Sequence, residues 1–144
     1  MFEAYREYFA FMEQLGGVLE RLTELEKNKA AAVRRDDLIA VEGFMKQEQA
    51  MSLTLRSMDR KRETLLGKLG MRDVNLSGFV PLCPEELRSE AREAVEKLRS
   101  LYALYQSAAD VARTTLECNL HQIERMLSDE AGEPGGGSMA DIRA

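Results

Sequence analysis

Residues 84–128 read PEELRSEAREAVEKLRSLYALYQSAADVARTTLECNLHQIERMLS, with no proline after the first position and no glycine anywhere. Apolar or small residues recur at heptad spacing, in steps of three and four through Leu87, Ala91, Ala94, Leu98, Leu101, Tyr105, Ala108, Ala112, Thr115 and Asn119, then at Met126 a full heptad on. That spacing keeps them on one face of a helix. At 1.5 Å per residue the helix runs roughly 65 Å, too long for a small compact core. Most helical stability in proteins comes from burying one face, so the remaining chain must supply partner helices. Pro84 suits a first helical position, and Glu85 and Glu86 fall in the first turn, where negative charge is favourable.

Two more seams precede it. Residues 2–34 form a first predicted helix through Tyr5, Tyr8, Met12, Leu15, Leu19, Leu22, Glu26, Lys29 and Val33, with Leu25 supporting the stripe where Glu26 is polar. Gly16-Gly17 interrupts it, at about 1 kcal/mol per glycine relative to alanine. Close packing and a bend are the two readings of that pair. Residues 37–69 form a second predicted helix through Val41, Phe44, Glu48, Met51, Leu55, Met58, Arg62, Leu65 and Leu69. Its polar exceptions, Glu48 and Arg62, suit seam edges or a register-setting role. Asp36 or Asp37 can cap it, and Gly70 supplies its C-terminal stop.

The expected architecture is all-α: an elongated antiparallel helical hairpin about 45–50 Å long, plus a third long helix, packed as a coiled-coil-like bundle. Residues 1–128 are expected to be one domain, with helices over 2–34, 37–69 and 84–128. Residues 70–83, GMRDVNLSGFVPLC, read as an irregular connection rich in turn formers. Val74, Leu76, Phe79, Val80 and Leu82 make it too apolar for a free linker, so it is expected to fold back over the bundle end. Residues 129–144, DEAGEPGGGSMADIRA, read as a flexible acidic tail, in which Met139 and Ile142 can form a short anchor.

Composition narrows the function. Apolar residues are 44% and charged residues 31%, with a net charge of −5. This is a folded chain with a large surface, not a disordered one, and nothing in its charge favours nucleic acid. No run approaches the ~20 apolar residues that cross a bilayer, and the N-terminal stretch lacks signal-peptide character. A cytoplasmic location is expected. Cys83 and Cys118 are expected to be free thiols. Cys118 and His121 stand three apart, too few for a closed zinc site. The acidic pairs sit where helix starts need them, and Gly135-Gly136-Gly137 lacks the lysine of a P-loop. No enzyme, cofactor or metal is expected. Arg56, Arg60, Lys61, Arg62 and Lys68 form a basic zone, either a solvated face or a surface for an acidic partner.

The third helix exceeds either hairpin arm by about ten residues, about 15 Å. Its last turns, Leu116, Leu120, Ile123, Met126 and Leu127, are therefore candidates to overhang the bundle, and such a stripe usually has a partner.

Three segments in order, LERLTELEKNKAAAVRRD at 19–36, KRETLLGKLG at 61–70 and NLHQIERML at 119–127, resemble the FlgN family of flagellar export chaperones. The resemblance covers nearly all the chain except the tail; Gly16-Gly17 and the glycine-rich tail depart from it. It implies a cytoplasmic chaperone that holds hook–filament junction proteins soluble through their C-terminal helices and delivers them to the flagellar type III export apparatus. It places protein binding around Asn119, Leu120, Ile123, Met126 and Leu127, with Leu116 at the start of the same stripe. The main alternative is a structural coiled-coil or bundle adaptor unrelated to secretion. Monomer and homodimer are both open.

Overall fold

In a computed structural model residues 1–131 are described, and among them there are helices and no strand. Helix α1 spans Glu3–Arg34 and α2 spans Leu38–Lys68. Helix α3 spans Leu76–Leu82. After a 3₁₀ turn over Glu85–Leu87, α4 spans Arg88–Ala131.

The hairpin corner follows from its residues. Asp36 takes the left-handed conformation, φ 57°. Its N–H then reaches the Val33 carbonyl while the Asp37 N–H reaches that of Ala32, both at 3.0 Å. This is the paired reversal that closes a helix end, made here on an aspartate rather than the usual glycine. Asp37 then caps α2, its Oδ1 accepting from the Ala40 N–H at 3.1 Å. Gly70, φ 70°, closes α2 the same way, with Gly70 N–H bonded to the Gly67 carbonyl and Met71 N–H to that of Leu66.

Helix α1 is the central element. Thirteen of its residues are buried against three of α2, because α1 packs on both long neighbours while α2 and α4 scarcely meet. The expected seam accounts for only one side of it. A second stripe, Phe11, Val18, Leu25 and Ala32, recurs every seven residues and is also buried. Val18, Leu22 and Leu25 pack with Phe44, Met51, Leu55 and Met58 of α2 and with Tyr105 of α4.

Helix α4 lies parallel to α1. Arg6 meets Glu90 near their starts at 4.0 Å, and a Cβ on Gly16 would stand 3.0 Å from the Leu101 side chain. Helix α1 continues unbroken through Gly16-Gly17, so close packing explains Gly16. From Leu87 in the turn before it and along α4, the buried or half-buried stripe runs through Ala91, Ala94, Val95, Leu98, Leu101, Tyr105, Ala108, Ala112, Thr115 and Asn119. It follows the expected three-four spacing with Val95 added, but Met126, expected on the same seam, is 66% exposed because no neighbouring helix reaches that far.

The connection 70–83 is less irregular than expected. Asn75 caps the short helix α3, its Oδ1 accepting from the Gly78 N–H at 2.9 Å. Pro81 sits inside α3, where its missing N–H forgoes one intrahelical bond. The apolar side chains explain the choice. Phe79 is fully buried, 5.0 Å from the Tyr8 ring centroid and edge-on to Phe9, and Val74, Leu76 and Val80 pack on the same core. Leu82 points outward instead, 56% exposed. Pro84 is extended and precedes the 3₁₀ turn, so α4 begins four residues later than expected. At the other end α4 runs on through residues 129–131, three residues beyond the expected end of the helix. The rest of that tail, with Met139 and Ile142, lies outside the described residues.

Candidate functional site

The two long parallel helices share a start but not an end. Asn119, half-buried, donates from Nδ2 to Asp36 Oδ1 at 3.1 Å, which sets it level with the hairpin corner. Helix α4 runs twelve residues further, to Ala131, about 18 Å at the helical rise. The groove between the corner and α4 is bordered by Val33, Arg34 and Asp36 on one side and by Thr114, Thr115, Cys118, Asn119 and Gln122 on the other. Past it, the shallow depression around Ile123, Met126, Leu127 and Asp129 is lined by α4 alone.

The apolar residues of this stretch are in water. Leu116, Leu120, Ile123, Leu127 and Met126 are 38%, 40%, 42%, 47% and 66% exposed. Leu116, Leu120, Ile123 and Leu127 follow steps of four, three and four and so share one face. Of the six residues that the sequence points to, five thus form an exposed apolar stripe, and Asn119 stands at its inner edge, holding the corner. Two more exposed apolar residues stand at the corner itself, outside the expected set. Leu38 and Ile39 open α2 next to Asp37, 71% and 86% exposed. The signal was present: both lie off the α2 seam set by Val41 and Phe44.

The two cysteines and the histidine form no chemical centre here. Cys83 is buried, its Sγ donating to the Phe79 carbonyl, and burial pushes its thiol up, with Arg88 opposing; this is the reverse of an activated thiolate. Cys118 and His121 are both exposed. Among the described residues no three potential ligands converge on a metal position, and no helix is long and apolar enough to cross a membrane.

A partly buried charge cluster, with Glu26 at its buried end, lies between α1 and α2. Lys29 pairs with Glu26 at 3.0 Å and also with Glu48 of α2. Burial pushes the Glu26 carboxyl up, and hydrogen bonding to Glu48 adds to this while Lys29 opposes it. For Glu48 burial also works upward, but hydrogen bonds from Glu26 and Lys29 outweigh it and hold that carboxyl below its usual range. The cluster ties one register of the hairpin. Glu48 is thus a register residue, while Arg62, the other polar exception, donates to the Val74 carbonyl and clips the α2–α3 connection.

The family model described as FlgN protein matches residues 1–129. No curated protein and no solved structure matches the chain.

Proposed function

Because the chain belongs to the FlgN family, a family of flagellar export chaperones rather than enzymes, we propose that the overhang of α4 is where it holds its export substrate. The observation that carries this is the exposed stripe Leu116, Leu120, Ile123, Met126 and Leu127, continuing past the point where Asn119 meets the corner. An amphipathic helix presents a matching face to such a stripe, in the helix-in-groove mode of recognition. The clients are the C-terminal helices of hook–filament junction proteins, bound in the cytoplasm and passed to the flagellar type III export apparatus. Leu38 and Ile39 extend the surface on the corner side.

Magnitudes suit a carrier that must let go. Full burial contributes about 1.5–3 kcal/mol per large aliphatic side chain. The stripe is already half covered, so its gross gain is on the order of 5 kcal/mol, before the cost of ordering the client. The client must contribute further contacts, and a chaperone of this kind need not consume ATP.

The test is a titration of the full chain with those C-terminal helices. Leu120→Asp combined with Ile123→Asp removes binding while circular dichroism keeps its helical signal. Unchanged affinity in the folded double variant overturns the placement. Self-association through the stripe, with no client bound, selects the adaptor reading instead.

A further inference from the structure

At the other end of the molecule the charge pattern inverts. Between residues 54 and 75 six cations stand against three acids, in a chain of net charge −5. Three of the cations are engaged. Lys68 pairs with Glu7 at 3.4 Å, Arg62 donates to the Val74 carbonyl, and Lys61 lies over the Phe11 ring. The other three, Arg56, Arg60 and Arg72, are exposed, and among the described residues none has an acid within ion-pair distance. They form a row. Arg60 follows Arg56 by one turn, and Arg72 leans over Gly67, its Nε 3.8 Å from where a Cβ there would stand. The row from Arg56 to the level of Gly67 is about 16 Å long. Arg60, Arg62 and Arg72 border a cleft of about 660 Å³ together with Glu63, Asp73 and Val74. One turn before Arg56, Leu53 is exposed on the same side of α2.

We propose that this face of α2 binds an acidic amphipathic helix of a second protein. Guanidinium forks match carboxylates in two-point hydrogen bonds, and the turn-by-turn spacing of Arg56 and Arg60 matches carboxylates one turn apart on a partner helix. Leu53 and Val74 supply the apolar contact that such a helix also needs. Glu63 and Asp73 on the rim disfavour the unbroken negative charge of a nucleic acid or an anionic bilayer, since like charges facing each other cost energy. This surface lies beside the start of α1, because α2 runs back to it, and so is remote from the α4 overhang. The proposal stands independently of the client site.

The experiment uses the full chain and a fluorescein-labelled synthetic helical peptide carrying glutamates at four-residue spacing and two leucines. Anisotropy at low ionic strength is expected to show saturable binding that weakens with salt. Arg56→Ser, Arg60→Ser and Arg72→Ser together weaken it by about tenfold or more. Gly67→Glu, whose Cβ would stand 3.8 Å from Arg72 Nε and which adds an acid within reach of that guanidinium, also weakens it. A control triple, Arg21→Ser, Lys27→Ser and Arg92→Ser, changes net charge equally on other exposed surfaces and leaves binding intact. Absence of saturable binding overturns the proposal, as does equal loss in the control triple. Competition by phosphatidylglycerol vesicles or inorganic phosphate as effective as that by unlabelled peptide overturns it too.

Discussion

Asn119 and Asp36 are joined across 83 positions by a 3.1 Å hydrogen bond, and Asp36 makes it from a left-handed backbone, φ 57°. One residue therefore ends α1, turns the hairpin and marks where α4 leaves the bundle. Asp36→Val loses the bond and forces a β-branched side chain into a conformation that it resists. The expected cost is about 2 kcal/mol, read as a lowered urea midpoint. Asp36→Asn keeps an acceptor and tolerates the backbone, so its midpoint stays within about 0.5 kcal/mol of the parent. Equal losses in the two variants would contradict this account of the corner.

Gly16 and Gly17 are neighbours with opposite prospects. A Cβ on Gly17 meets nothing within 4 Å, whereas one on Gly16 stands 3.0 Å from Leu101 Cδ1. Gly17→Ala should stabilise by about 1 kcal/mol through helix propensity alone. Gly16→Ala gains less, because Leu101 must shift, and Gly16→Leu costs about 1–3 kcal/mol by overpacking the α1–α4 contact. Thermal melts of the three variants order them in that sequence. A flexible hinge at this pair would instead show both alanine variants gaining equally.

The three seams were legible because burial repeats at helical spacing, and residues from Leu87 to Asn119 illustrate it. What escaped was which helix is central. The stripe Phe11, Val18, Leu25 and Ala32 is as regular as the first, but one seam suffices to explain a two-helix contact, so periodicity alone does not demand a second. Helix α3 escaped for a different reason. Seven residues with an internal proline carry little periodic signal, and only the docking of Phe79 against Tyr8 and Phe9 makes the helix worthwhile. The apolar end of α4 could be read from length alone, since no arm of the hairpin is long enough to cover it.

The overhang should be dispensable for folding. Ile123 and Leu127 are more than two-fifths exposed, and exposed substitutions generally stay within about 0.5 kcal/mol. Ile123→Asp with Leu127→Asp is therefore expected to leave the urea midpoint unchanged while weakening client binding. Ala112→Asp, one to two turns before the corner and almost fully buried, should cost several kcal/mol, on the order of 3 or more, by burying an unpaired charge. Comparable destabilisation by both changes would mean that the overhang is packed in solution.

The Glu26–Lys29–Glu48 cluster gives stability a pH dependence whose sign can be worked out. The folded-state Glu26 carboxyl lies above its ordinary value, so its contribution is full below that value and is lost as pH rises through the folded one. Glu48 lies below its ordinary value, so its contribution is lost as pH falls through the folded one. Together they favour the ordinary carboxyl range, with Lys29 paired to both carboxyls. Glu26→Gln reproduces the protonated form. It should raise the urea midpoint near pH 7, with the gain shrinking toward pH 5, while Lys29→Met, which strands two acids, costs about 2–4 kcal/mol at pH 7. A glutamine variant that is less stable than the parent by the same amount at every pH would overturn the upward direction for Glu26 and show that its charge is a net support to the fold.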